Sequence, residues 1–530
     1  MRSTFHGLEV AKRGLYAQQT ALNTTSHNVA NANTPGYSRQ VVDMVHFPPL
    51  QYPAMSRGTE PGQLGQGVDV DQIKRIRDQF LDAQFRNENR SLGEWEIKRQ
   101  TLDKIEAAIN EPSENGLANV INRFFNSWHD LSASPESITA RKVVKQTAIE
   151  MVEAVQHISK QLSDLDSDLK DSIGIKVNEV NSTLNQVKDL NHQIKVIESL
   201  GDNANDLRDR RDQLVDALSK IVDVKVTEAS GQYTLTVGGQ TVIQGDAAPV
   251  LLTFDSGTGA VTPGITGGEI KGLIESRTTY VKTYQGQLDA LVNGLVQGEV
   301  QSKLPNDYVF DASTATMPFD AVLPDGTTLA KGAPVPANKT LPKGTLITLD
   351  GLNGIHEFGY TAHNPAKNAP PFFVTTDGSS TFTAANIKLN DLIVNDEQYI
   401  STSNVLDANG KALKGNGDIA LMIGELVNRD VDFSGSGFTA VVSNGTIEDY
   451  FQSMIGEFGV QSRQAKRMET NQGAMVDQID NQRKSVTDVS IDEEMANMIK
   501  FQQAYNASAR IVTMIDSILD RVINGMGLTR

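Results

Sequence analysis

The sequence predicts an α+β, multidomain protein: a long helical coiled-coil core built from both termini, a helical bundle, and an inserted β-rich domain. Three observations predict it. Apolar residues recur at seven-residue spacing near both ends of the chain. Three- and four-residue apolar steps fill long stretches between those ends. Residues 302–415 then change in composition, to dense prolines (Pro305, Pro318, Pro324, Pro334, Pro336, Pro342), Asp-Gly and Asn-Gly turns, and short β-prone runs. At 530 residues the chain exceeds what one core can organise. The expected domains are 1–45 with 486–530 as a discontinuous terminal coiled coil, 46–301 with 416–485 as a helical bundle carrying a β-hairpin region near 222–254, and 302–415 as the outer insert.

At the N-terminus Leu8, Leu15, Leu22 and Val29 keep a seven-residue step, with Phe5, Ala11, Gln18 and Thr25 at the intermediate positions. The run breaks at Asn31, Asn33, Pro35, Gly36 and Tyr37, where Pro-Gly signals a turn, so this segment is expected to bend the terminal helix into the body. Residues 38–75 read as extended and loop structure, with prolines at 53 and 61 and glycines at 62, 65 and 67. Helices are expected over 73–109, ended by Pro112, then over 116–132, 137–200 and 207–221. The second carries Leu117, Ile121, Phe124, Trp128 and Leu131. In the third, Ile173, Val177, Val180, Leu184, Val187, Asn191 and Ile194 hold a heptad step. The period switches to two at Val222-Val226, Tyr233-Val237 and Thr241-Ile243, with Gly238-Gly239 as the hairpin turn. A helix returns over 269–301, and helical signals resume near Asp418.

The C-terminal region is the most regular. Phe451, Met454, Phe458, Gln461, Ala465, Met468, Gln472, Met475 and Ile479 step three and four. After a break, Ile491, Met495, Met498, Phe501, Tyr505, Ser508, Val512, Ile515, Leu519 and Val522 continue the pattern over ~48 Å of helix at ~1.5 Å per residue. Asp488 and Ser490 are candidate N-caps, and Gly525 and Gly527 candidate stops. Ile499, Ile511 and Ile518 widen the apolar stripe beyond what one short partner helix can cover. The two terminal helices are therefore expected to pair, with neighbouring subunits covering the surplus.

Composition excludes several chemistries. With no cysteine there is no disulfide, thiol catalysis or thiolate metal site. The eight histidines lack ligand spacing; His356, Glu357 and His363 come nearest and read as surface polar groups. A net charge of −17 with no basic stripe argues against a nucleic-acid partner, and no run of about 18 apolar residues suggests membrane insertion. Gly62, Gly65 and Gly67 lack the strand–helix context and the Lys-Ser/Thr of a phosphate loop. The charged run Asp206–Asp212 reads as i,i+3 and i,i+4 pairs on a solvated helix face. Neither enzyme activity nor a cofactor is expected. The polar start suggests either a cytoplasmic protein or export without a cleaved signal peptide.

Two segments carry a resemblance. His27-Asn28-Val29-Ala30-Asn31-Ala32-Asn33-Thr34-Pro35-Gly36-Tyr37-Ser38-Arg39-Gln40 resembles the N-terminal signature of flagellar rod, hook and hook-associated proteins, and Ile491-Asp492-Glu493-Glu494-Met495-Ala496 through Phe501-Gln502-Gln503-Ala504-Tyr505-Asn506-Ala507 resembles their C-terminal signature. Asn110-Glu111-Pro112-Ser113, Phe124-Phe125, Leu131–Pro135 and Asn205–Leu214 are similar to the members at the first hook–filament junction. The likeness covers about 1–300 and 416–530 and leaves the insert unplaced. It implies a structural role in an eleven-subunit layer of the chain itself. Its partners would be the hook protein on one side and the second hook–filament junction protein on the other. It further implies export through the flagellar type III channel to an extracellular location, and a cytoplasmic chaperone on the C-terminal helix. Another axial role, hook or rod, is the nearest alternative; a glycan- or host-binding β insert is a more distant one.

Overall fold

In a computed structural model the chain is described over residues 5–49, 65–109, 116–229, 231–310, 314–407 and 409–525. The expected prolines at 53 and 61, Gly62, the Asn110–Ser113 motif with its Pro112 stop, and Gly527 lie outside these residues. The α+β architecture is as expected, long helices with several small sheets. By internal contact the chain forms two compact units. The first comprises 1–95, 173–272 and 468–530, the second 96–172 and 273–467.

The first unit holds helix α1 (His6–Asn31), strands β1 (Gln40–His46) and β2 (Val68–Arg75), and the beginning of α2 (Gln79–Ile109). The helix expected from residue 73 starts six residues later, because 68–75 pairs with 40–46 as an antiparallel hairpin with a bulge at Asp43/Met44. Further along come the last part of α4 (Ile138–Glu198), α5 (Asn205–Ile221) and a three-stranded antiparallel sheet of β3 (Val224–Ala229), β4 (Gln232–Val237) and β5 (Gln240–Gln244). Gly238 and Gly239 both take positive φ in the β4–β5 turn, the backbone a two-residue hairpin of this kind requires. The heptad positions Ile173, Val177, Val180, Leu184, Val187 and Ile194 are all buried. The seam's one polar member, Asn191, donates to Gly245 O and accepts from Arg211 Nη1.

The second unit contains α3 (Leu117–Ala133), whose five expected core residues are all buried. Phe124 packs on Phe372 and Phe373 from the insert, and Trp128 on Phe372, at ring centroid distances of 5.3–6.1 Å. Truncating a buried aromatic of this size costs about 3–5 kcal/mol. The helix expected over 269–301 is α6 (Glu269–Glu275), a π-helical stretch over Ser276–Val281 and α7 (Lys282–Gln297). It ends early because Gly298 turns the chain into strand Glu299–Lys303. That strand lies inside a six-stranded antiparallel sheet together with 320–322, 328–329 and 346–350 of the insert and two short strands that follow it, Val431–Asp432 and Asn444–Gly445. The insert also carries α8 (Gly351–Glu357) and α9 (Asp391–Asn395). After it come α10 (Asp418–Gly424) and the long α11 (Ile447–Thr487).

Two expectations are corrected here. His356 is a core residue: its Nδ1 donates to Pro370 O at 2.7 Å, and its Nε2 accepts from Ser401 N at 3.0 Å. Burial drives its pKa down to about 4, so the ring is neutral and bridges two backbone segments. On α11 the apolar stripe slips by one residue late in the helix. Val476 is buried while Met475 is 44% exposed, since a straight 3.6-residue helix drifts away from a 3.5-residue repeat.

Asp289 on α7 illustrates the energetics of this unit. Its carboxylate accepts from Ala384 N at 2.7 Å, and burial raises its pKa from 3.8 to about 6. Below pH ~4 both folded and unfolded chains hold that proton. Between pH ~4 and ~6 only the folded chain does, so this group's contribution declines as pH rises and stays low above it. Asp289→Asn is therefore expected to stabilise the protein at pH 7 by on the order of 2 kcal/mol, with the advantage vanishing near pH 4. Thermal unfolding of both proteins between pH 4 and 7 checks this; a gap independent of pH would refute it.

Candidate assembly site

The two ends of the chain meet: α1 packs along α12 (Ile491–Asp520). The contact is antiparallel and keeps step. Gly7 lies against Ile515, Gly14 against Ser508, and Asn28 bonds Glu494, so a seven-residue advance on α1 matches a seven-residue retreat on α12. The residues at the contact line are small. A Cβ at Gly14 would come within 3.1 Å of the Ser508 hydroxyl, and one at Gly7 within 3.2 Å of Ile515 Cδ1. Glycine inside a helix costs about 1 kcal/mol relative to alanine; here it permits close backbone approach.

Leu8, Leu15, Leu22 and Val29, each one residue past that line, are half-buried, while Ala11, Ala17, Ala21, Thr24, Thr25 and Asn28 form the buried face of α1. The helix is covered on another side by the β1–β2 hairpin. On α12, Met498, Phe501, Tyr505, Val512, Ile515 and Leu519 are half-buried along the α1 side. Ile491, Met495 and Val522 are exposed, as are Ile499 (59%), Ile511, Met514 and Ile518 (52%). Only one α12 residue is fully buried, and it is the carboxylate Glu494. Ser490 caps the helix as expected, accepting from Glu493 N.

Glu494 is buried because it closes a polar lock. It accepts from Arg39 Nε at 2.8 Å and from Asn28 Nδ2 at 3.0 Å. Asn28 uses its full bonding capacity: Nδ2 also donates to Gln40 O, and Oδ1 accepts from Gln40 N and the Tyr37 hydroxyl. Burial, with Asp206, Asp209 and Glu494 nearby, keeps that hydroxyl protonated. The bend that makes this possible runs through Asn31, whose backbone and side-chain oxygens accept from Thr34, and through Gly36 at φ +80°; Asn33, Pro35 and Gly36 are exposed.

A step away, the expected solvated face of α5 is the reverse of what the structure shows. Asp209, Arg211 and Asp212 are buried, and their partners come from distant chain segments. Asp209 accepts from Ser38 N, Ser38 Oγ and Arg75 Nη1 at 2.9, 2.8 and 2.6 Å. Asp212 accepts from Arg75 at 3.0 Å and lies 3.5 Å from Arg77. Asp216 accepts from Arg86 at 2.7 Å and Arg483 at 2.9 Å. Gln40 joins the same network through Asp206 and Asn205. Burial pushes the Asp212 carboxyl up, but Arg77, Arg75, Arg86 and Arg211 together outweigh it and hold it below the ordinary carboxylate range. Asp209, Asp212 and Asp216 follow three- and four-residue steps, so they share one helix face and repel one another unless cations arrive from elsewhere. That spacing was the available signal for these residues. For Gly7 and Gly14 the signal was the small-residue heptad running one position ahead of the leucines.

Glu494→Ala is expected to cost about 2 kcal/mol and to release the start of α12, because it leaves Arg39 Nε and an Asn28 N–H without their buried acceptor. Glu493→Ala, which removes a carboxylate 64% exposed, should cost under about 0.5 kcal/mol. Hydrogen exchange over 487–500 distinguishes the two; equal protection loss would show that the lock does not hold this helix.

Three family descriptions match the chain: "Flagellar hook-associated protein FlgK helical domain" over 102–299, "Flagella basal body rod protein" over 8–37, and "Flagellar basal body rod FlgEFG protein C-terminal" over 485–525. The two rod matches span α1 with its bend, and α12. The "Flagellar hook-associated protein 1" of Bacillus subtilis is 34% identical, the alignment covering 100% of this chain and 99% of that one. The protein of the same description from Salmonella typhimurium is 26% identical over 97% and 98%. A solved structure, "The structure of the flagellar hook junction protein FlgK from Burkholderia pseudomallei", aligns with a TM-score of 0.47 at 16% identity, covering 76% of this chain and 100% of that one. With a relative this similar along its full length, the chain belongs to the flagellar hook-associated protein 1 family.

Proposed function

We propose that this chain is a structural subunit at the junction between flagellar hook and filament, assembled as an eleven-subunit layer of itself between the hook protein and the second junction protein. The observation that carries the reading is α12. Its α1 side is half-buried, but apolar residues flanking that side are exposed, Met495 and Ile499 near the start of the helix and Ile511, Ile518 and Val522 towards its end. An exposed stripe of this kind on one unit needs a partner surface, and regular stacking supplies the same one to every copy. Before assembly the stripe would be a liability in the cytoplasm, which favours a chaperone on α12 and export through the flagellar type III channel. The domain partition 1–45 with 486–530, 46–301 with 416–485, and 302–415 belongs to this reading. No catalytic step is part of the proposal.

Deleting residues 491–530 in cells should abolish filament attachment, and normal filaments on those cells would overturn the junction role. A finer test leaves the intramolecular pair alone. Phe501 and Val512 lie on the α1 side, so a charge there would disturb the fold itself. Ile499→Asp and Ile518→Asp should leave helicity and Tm unchanged, yet lower chaperone affinity and incorporation into flagella by tenfold or more, about 1.4 kcal/mol. Unchanged chaperone binding and incorporation would remove the exposed stripe from the argument.

A further inference from the structure

A cleft of about 800 Å³ opens in the first unit, lined by β2, the first turns of α2, α5 and the β3–β4 strands. Cationic side chains outnumber carboxylates in its lining by eight to four, in a chain whose net charge is −17. Arg90 and Lys225 of that lining have no ion-pair partner among the described residues. Deeper in, three buried donors make no hydrogen bond to the protein: Arg86 Nη2, whose nearest carboxylate, Asp212, stands 3.6 Å away, Arg211 Nε and the Tyr233 hydroxyl. Their residues are 7%, 2% and 4% exposed. The rest of each side chain is fixed. Arg86 Nε is held by Asp216, Arg211 Nη1 by Asn191, and the Arg211 guanidinium stacks 3.8 Å above the Tyr233 ring. Burial, the largest influence on Tyr233, keeps its hydroxyl protonated and able to donate.

Most buried donors in a folded protein find an acceptor, and unmade ones are seldom gathered around one cleft. Three around one cleft, all donors and two of them cationic, define a complementary partner that is rich in acceptor oxygens and negatively charged. We propose that this cleft binds a small oxyanion, a phosphate or carboxylate group, held by Arg86, Arg211 and Tyr233 and drawn in by Arg90 and Lys225. Such a group belongs either to a free ion or to an acidic side chain of a second copy of this chain; the chemistry of capture is shared.

Calorimetric titration of the full-length chain with inorganic phosphate, against chloride at equal ionic strength, tests the site. One saturable phosphate per chain and a rise in Tm that chloride does not reproduce are expected. Tyr233→Phe removes an unpaired hydroxyl, so it should fold as well as the parent while binding phosphate about fivefold more weakly. Arg90→Gln, on the more open part of the lining, should weaken binding without affecting Tm in chloride. Sedimentation with and without phosphate separates the sources. Self-association that phosphate competes away, and that Tyr233→Phe weakens, identifies a neighbour's carboxylate; association indifferent to phosphate identifies a free ion. The proposal fails if phosphate and chloride act alike, or if both variants bind phosphate as tightly as the parent.

Discussion

Three aspartates on one face of a single short helix, Asp209, Asp212 and Asp216, impose the constraint on which the first unit depends. With Asp209 and Asp212 buried and Asp216 half-buried they are untenable alone, and α5 carries no cation placed to neutralise all of them. The compensating charges arrive from β2 (Arg75), the β2–α2 connection (Arg77), α2 (Arg86) and the end of α11 (Arg483). Removing either side of a buried pair typically costs 3–5 kcal/mol, more than the pair contributes relative to apolar packing. The value of such an arrangement lies in specificity. A hairpin shifted by one residue, or an α11 shifted by one turn, would leave an unpaired charge inside. Three stretches far apart in sequence, 75–86, α5 and the end of α11, are thus brought to one register or to none.

Glu494 extends that constraint to the chain's ends. Ser38 bonds Asp209, Arg39 bonds Glu494, and Gln40 bonds both Asn28 and Asp206. Three consecutive residues after the bend therefore connect α5, α12 and α1. The tightness of the turn follows from this. Gly36 must adopt a left-handed backbone so that Tyr37 can return its hydroxyl to Asn28, one helical stretch back. The resemblance segments that stood apart in the sequence, around 28–40, 205–214 and 491–496, are the segments that meet here.

The fold was legible wherever periodicity was strong. Heptad positions along α4 and the apolar face of α3 are buried as their spacing implies, and Gly238-Gly239 makes its hairpin. The end of strand 68–75 was harder to read, because its apolar alternation at Val68 and Val70 gives way to Gln72-Ile73-Lys74-Arg75 and its partner lies outside its own neighbourhood. The charged face of α5 misled for a related reason. Within one helix, Asp and Arg at three- and four-residue steps look self-sufficient, and nothing local reveals that arginines more than a hundred residues away are the true partners. The leucine heptad of α1 was legible as a stripe but not as the contact line. The line itself consists of residues with almost no side chain, which hydropathy does not register. His356 was missed because a lone histidine has no local signature of burial; its two backbone partners are set by the insert's tertiary packing.

The inequality of the terminal helices follows from these same contacts. Helix α1 is enclosed by the hairpin on one side and by α12 on another, so its small residues have neighbours throughout. Helix α12 is fixed at its start, by the Ser490 cap and the Glu494 bonds, and from there, among the described residues, packs along one side on α1. A 30-residue helix with an apolar stripe left in water is costly to keep soluble but well suited to repetition. Its origin and register are set inside the subunit by directional polar bonds. Its outward face is non-directional apolar surface, able to accept whichever copy or partner the stack presents. Directional contacts within the subunit and adaptable ones outside it let the same surface be repeated from copy to copy.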